Sequence, residues 1–264
     1  MDHRDVTRRE FTRQSGEFAR PDSFFADRRL LEWIAAHVPV GAGDVVLDVA
    51  GGAGHVGRRL AAQGAFAVVV DLTRQMLETG AAAVRADERR DVVFVEGDAT
   101  ALPFADEQFD VVVSRFAFHH FDEPARAAAE MARVARQGAT VAVIDMVSEP
   151  GAAGARHNEL ERMRDPSHTR ALEEPELLAA LEAAGVRAAI VAEHRQALPA
   201  VPWLERGASP DAPVDELLAA LEAEAGGGPA TGLHATSGPD GLVVEQRWVI
   251  AAGRRATPAS GTGG

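Results

Sequence analysis

Cysteine, tyrosine and lysine are all absent from the 264 residues of this chain. Without cysteine there is no disulfide, no thiolate nucleophile and no cysteine-ligated zinc. Without lysine there is no Schiff-base chemistry, and all 27 basic side chains are arginines. A general base must then be His, Asp or Glu, or a water held by one of them. Positive charge is also in short supply. The formal net charge is −13, which denies nucleic acid a basic face and disfavours anionic membranes. No stretch approaches the ~18 apolar residues of a spanning helix, so no stable membrane insertion is expected. The opening MDHRDVTRREF lacks the apolar core of a signal peptide. A cytoplasmic setting is the expectation.

What is present suits a globular protein: 46 % hydrophobic residues, and a length that allows one α/β domain with an insertion or small cap. Residues 1–22 are polar with scattered phenylalanines and read as a short helix or arm. The 24–38 stretch has helical spacing at Leu30, Leu31, Trp33, Ile34 and Val38, and Pro39 ends it. The chain then alternates. Strands are expected at 45–49, 67–71, 92–96, 109–114 and 140–145, with helices at 55–63, 73–86 and 124–135. Continuous Val/Ile runs alternating with helices indicate a parallel sheet covered on both faces. A helix at 175–184, a strand at 186–193, a helix near 214–225 and an antiparallel edge strand at 242–251 follow. Residues 254–264 read as disordered.

Val45 to Gly57 reads VVLDVAGGAGHVG, and Gly52–Gly57 fits G-x-G-x-x-G. That pattern suggests a pyrophosphate turn. Asp48, however, ends the strand just before the glycines. At ~5 Å and an effective dielectric of ~20, its charge would repel a phosphate by about 3 kcal/mol. It suits a ligand carrying an ammonium or sulfonium. S-adenosylmethionine carries both, with no phosphate. Asp71 ends the second strand about 20 residues on, where a carboxylate accepts both ribose hydroxyls. A carboxylate in Glu96–Asp98 can accept the adenine amine, with Met76 and Leu102 against the ring.

These stretches, LDVAGGAG (47–54), VVVDLTRQML (68–77), EGDATALPFADEQFD (96–110), SRFAFHHF (114–121) and TVAVID (140–145), together resemble the class I S-adenosylmethionine-dependent methyltransferases. Within them the chain is most similar to the branch of the ubiquinone/menaquinone-biosynthesis methyltransferases and related bacterial small-molecule methyltransferases. RDPSHTRALEEPEL (164–177) resembles the post-sheet region of bacterial members. The resemblance implies a doubly wound, mostly parallel, seven-stranded Rossmann-like α/β sheet with an antiparallel last strand and a helical cap. It implies an arm and helix over the cofactor site (1–38), a cofactor-binding core (39–150), a cap with the sixth strand (151–241), a closing strand (242–253) and the tail. It places cofactor contacts on Asp48, Ala50, Gly51, Gly52, Gly54, Asp71, Leu72, Met76, Asp98, Ala99 and Arg115, the last through its backbone. Ala50 departs from the family's usual first glycine. The substrate-end sequences of the quinone enzymes are not recognisable after residue 150.

Candidates for chemistry are His119, His120 and Asp145. Either histidine can remove a proton from an acceptor oxygen or carbon, or pack as a loop residue beside the cofactor. Asp145 ends the fifth strand, where it orients substrate or caps a turn. No metal site is expected, because only Asp122 lies near as a third ligand. Phe18, Phe24, Phe25 and Trp203 are candidate walls, and residues 164–168 either shape the pocket or form a salt-bridged turn. The expected activity is in-line methyl transfer to the C or O atom of a small molecule, in a monomer or homodimer. The alternatives are an NAD(P)-dependent oxidoreductase, or an S-adenosylmethionine-binding protein that does not methylate.

Overall fold

Five parallel strands form the frame: β1 (Val45–Val49), β2 (Phe66–Asp71), β3 (Val92–Glu96), β4 (Phe109–Arg115) and β5 (Ala135–Met146). They belong to a computed structural model that describes residues 2–20, 23–239 and 241–257. In β1, Val46 packs into the core on one face and Leu47 into the core on the other. Burial on both faces is why these strands read as unbroken apolar runs.

Helices α2 (Arg28–His37), α3 (His55–Ala61) and α4 (Arg74–Ala86) bury Ile34, Leu60 and Leu77 on one face. Asp27 starts α2 by accepting the Arg29 and Leu30 amides at 2.7 and 3.0 Å. On the other face, α5 (Pro124–Val134) and α7 (Glu174–Ala183) bury Met131, Leu177 and Leu181. Pro124 sits at the first turn of α5, where its missing N–H costs nothing.

The strand order is β3-β2-β1-β4-β5-β8-β6, where β6 is Val186–Pro199 and β8 is Gly241–Arg255. A short β7 (Thr236–Gly238) pairs only with β8, which adds an eighth strand to the expected seven. β8 is antiparallel, as expected, but it is not an edge. It inserts between β5 and β6, antiparallel to both, and β6 takes the edge. It also runs to Arg255, into the stretch expected to be disordered; residues 258–264 lie outside the described residues.

A third apolar cluster forms the cap. It joins α6 (Gly151–Arg164), α8 (Ala200–Glu205) and α9 (Val214–Ala225) through Leu160, Trp203, Leu204, Leu217 and Leu221. The first helix, α1 (His3–Ala19), fills the 1–22 stretch read as a short helix or arm, and its Arg4, Phe11 and Gln14 line a cavity at the carboxyl ends of the strands. Its His3 ring bonds the His120 carbonyl at 3.0 Å, and the His55 ring bonds the Phe18 carbonyl at 3.0 Å. Among the described residues no helix is long and apolar enough to cross a membrane.

Candidate functional site

Order reverses between β1 and β4, and in such sheets ligands sit at the carboxyl ends beside that reversal. A cavity of about 430 Å³ lies there. Asp48, Ala50, Gly51, Gly52, Asp71, Leu72, Met76, Asp98, Ala99 and Arg115 all line it. Gly54 lies behind the wall, capping α3 in the left-handed region at φ +73°.

The loop is built around Asp48. Its side chain is buried, and Oδ2 accepts the Gly57 amide at 2.8 Å. Oδ1 is buried with no partner among the described residues. A lone buried acceptor costs about 1–3 kcal/mol. Desolvation pushes the carboxyl up to about 6, against the pull of the Gly57 N–H and of Arg115. A Cβ on Gly51 would stand 2.6 Å from Asp48 Cγ and 2.8 Å from Val69 Cγ1, so only glycine lets the turn close over the acid. Ala50 adopts φ +51°, a conformation that disfavours side chains by about 1–2 kcal/mol. The geometry of a glycine is kept where the glycine is not.

Asp71 clamps the same turn. Its Oδ2 accepts the Gly52 amide and its Oδ1 the Thr73 amide, both at 2.8 Å. Asp71 lines the cavity beside this turn. Asp98 is held from two sides. Oδ1 takes the Thr100 amide and hydroxyl at 2.8 Å, and Oδ2 pairs with Arg4 of α1 at 3.0 Å. The expected ring contact Leu102 packs in the core below, while Met76 lines the cavity. Arg115 contributes its side chain rather than its backbone alone: Nη1 donates to the Phe25 carbonyl at 3.0 Å. Burial lowers it to about 10, so it stays charged at neutral pH.

Toward the cap the cavity reaches His119, His120, Arg164, Asp165, His168, Trp203, Arg206 and Trp248. The two adjacent histidines part company. His119 Nδ1 meets Asp145 Oδ1 at 2.5 Å, and Asp145 also accepts the Phe118 and Met146 amides at 2.8 and 2.7 Å. Burial opposes a charged His119, but Asp145, with Glu161 and Asp165 behind it, outweighs burial and the net direction is up. His120 instead donates from Nδ1 to the Ser167 carbonyl at 2.8 Å. Burial, then the neighbouring His119 charge, lower it to about 4. Asp145 does not line the cavity; it is hydrogen-bonded to His119, which does.

Residues 47–143 match the family model described as a methyltransferase domain. YcgJ of Bacillus subtilis, named an uncharacterized methyltransferase, is 29% identical over 198 residues, 75% of this chain and 78% of the relative. Its crystal structure aligns at TM-score 0.77 and 24% identity, covering 87% of this chain and 99% of that one. YafE of Escherichia coli is 32% identical over 160 residues, 60% of this chain and 77% of the relative. The chain belongs to the methyltransferase family.

The methyltransferase uses S-adenosylmethionine, and the unpartnered Asp48 oxygen beside a glycine turn fits that cationic ligand. The demethylmenaquinone methyltransferase of Clavibacter sepedonicus is 38% identical over 109 residues, but these are 41% of this chain and 44% of the relative. That likeness is confined to less than half of each protein.

Several wall residues of the methyltransferase escaped sequence reasoning. Arg4, Phe11 and Gln14 of α1, Arg206, Gln246 and Trp248 all line the cavity. α6 carries Glu161, fully buried, which holds Arg164 through Nη2 at 2.6 Å and Nε at 2.9 Å. Arg164 is therefore both a salt-bridged residue and a pocket wall. Charge pairs at i,i+3 were the one signal available in the sequence.

Proposed function

We propose that this methyltransferase transfers a methyl group by in-line displacement to an oxygen or carbon atom of a small molecule, with His119 as the general base. The His119–Asp145 pair at the cavity edge carries the reading. With Asp145 accepting from Nδ1–H, the neutral imidazole presents Nε2 as a base. His119 is the catalytic residue, Asp145 positions it, and His120, neutral and tied to Ser167, shapes the wall.

The cofactor supplies an electrophilic methyl on a sulfonium. Asp48 balances its positive charge, and Arg115 lies beside Asp48 for the cofactor's carboxylate. Asp71 accepts from the ribose. Asp98, Ala99, Leu72 and Met76 frame the base, with the loop backbone of Ala50, Gly51, Gly52 and Gly54 held close. The chain's main task is to align the acceptor and exclude water. α1 closes the cavity, with Phe11 and Phe18 edge-to-face at 6.1 Å and Phe18 stacked on Phe25 at 3.7 Å.

The enclosure supports a small acceptor. The demethylmenaquinone methyltransferases among the relatives agree with that class, though their cap is not matched here. Calorimetric titration with S-adenosylhomocysteine and with NADH tests the cofactor assignment: binding of the first and not the second is expected. Methyl-labelled cofactor then tests transfer, and His119→Ala should lose about 10²–10⁴-fold in rate while keeping its affinity for S-adenosylhomocysteine. Undiminished transfer in that variant would remove His119 from the base role.

A further inference from the structure

The cap end of the cavity gathers several charges, and all but one of the lining ones are already satisfied. Glu161 is locked to Arg164, with Gln246 Nε2 on its other oxygen at 3.1 Å. Asp165 Oδ1 accepts the Ser167 hydroxyl at 2.6 Å and its amide at 2.9 Å. His168 bonds Asn158 at 3.0 Å, and burial holds it neutral. The exception is Arg206. It lines the cavity, yet among the described residues its guanidinium has neither a hydrogen-bond acceptor nor an ion-pair partner.

Its placement is nonetheless fixed. The guanidinium carbon lies over the Phe24 ring, 4.2 Å from the centroid. The Arg206 carbonyl accepts from Arg164 Nη1, and the next carbonyl, of Gly207, accepts from Arg13 and Gln14 of α1 at 3.2 and 3.4 Å. A guanidinium lying over a ring keeps its N–H edge free, and that edge is a fork matched to a planar two-oxygen anion. Burial and the nearby Arg164 lower Arg206 to about 10, against the pull of the buried Glu161 carboxylate, so at neutral pH it is charged, with no hydrogen-bonded anion among the described residues.

We infer that the methyl acceptor carries a carboxylate on a flat apolar body, with the carboxylate held by Arg206 and the body lying among Phe24, Phe116, Trp203 and Trp248. The rings support the flat body: Phe24 lies edge-on to Trp248 at 5.4 Å and parallel to Phe116 at 6.3 Å. With the Asp165 carboxylate already at this end of the cavity, one guanidinium has room for a single negative charge at most. A phosphate monoester, near −2 at neutral pH, would leave charge uncompensated in an enclosed site. The inference rests on the small-molecule reading above and narrows it.

The test is calorimetric titration of the full chain with 4-hydroxybenzoate, 4-hydroxybenzamide and phenyl phosphate, each with and without saturating S-adenosylhomocysteine. The benzoate should bind at least tenfold more tightly than the amide. Arg206→Met should abolish that preference, and Arg206→Lys should retain part of it, with S-adenosylhomocysteine affinity and the far-ultraviolet spectrum unchanged in both. Equal binding of acid and amide, no binding of the acid, or a preference for phenyl phosphate would overturn the inference. So would a preference that survives Arg206→Met, or a loss of S-adenosylhomocysteine affinity in that variant, which would assign Arg206 to the cofactor. Failure of the unaltered protein to bind S-adenosylhomocysteine would instead sink the methyl-transfer reading, and the acid–amide comparison without it would still decide the role of Arg206.

Discussion

His119 Nδ1 and Asp145 Oδ1 meet at 2.5 Å where β5 ends and the cavity begins. Burial works against a charged imidazole there, but Asp145, joined by Glu161 and Asp165, outweighs it, so His119 titrates above its ordinary value of 6.5. The basic form therefore appears only as pH rises past that raised value. Methyl transfer should climb through an inflection above pH 6.5. Asp145→Asn should move the inflection down and lower kcat by about 10²-fold or more. An NMR titration of the His119 ring reads the same change without any acceptor; an unmoved titration would deny Asp145 its positioning role. The pair also stabilises the fold below about pH 6.5, and that contribution is lost as pH rises through the raised value.

Asp48 sets the acid limit of cofactor binding. Its carboxyl titrates near about 6 in the free protein, raised by burial, and only the ionised form balances an ammonium. Affinity for S-adenosylhomocysteine should fall as pH drops through about 6. Asp48→Asn should bind at least tenfold more weakly and show no such dependence. Calorimetry from pH 5 to 8 on both proteins checks this. A parallel pH dependence in the variant would assign the titration to another group.

Asp71→Ala should weaken S-adenosylhomocysteine binding at least tenfold and also cost stability. The carboxylate holds the Gly52 and Thr73 amides, and each buried donor left unpaired costs about 1–3 kcal/mol. Denaturant melts should show that loss, with the far-ultraviolet spectrum retained. Unchanged affinity would take Asp71 out of the site.

Glu161→Ala should be among the most damaging substitutions outside the sheet. It leaves Arg164 charged and without its carboxylate inside the cap, and breaking such a buried pair costs about 3–5 kcal/mol. Replacing both residues, Glu161→Gln with Arg164→Met, should recover part of the loss. If the single variant melts like the unaltered protein, the pair is not a support of the cap.

The five parallel strands were legible because burial on both faces leaves little choice but Val, Ile and Ala. The loop acids were legible because each ends a strand that could be placed. α6 was missed for an equally physical reason. Its buried residues include His157, Asn158 and Glu161, so no apolar stripe marks it. α1 hides Glu10, Gln14 and Ser15 in the same way. Helices that wall a polar site bury polar side chains, and hydrophobic periodicity is blind to them.

The sequence by itself determined the alternating α/β frame, the glycine turn and the acids Asp48, Asp71 and Asp98, since each follows from local pattern and short spacing. Only the tertiary structure decided that β8 lies inside the sheet, that Asp145 claims His119 and not His120, and that Arg206 lines the cavity with no hydrogen-bonded anion among the described residues. Those facts depend on residues 26 or more positions apart, as with His119 and Asp145, and the free energy of such contacts comes from burial that no single segment carries.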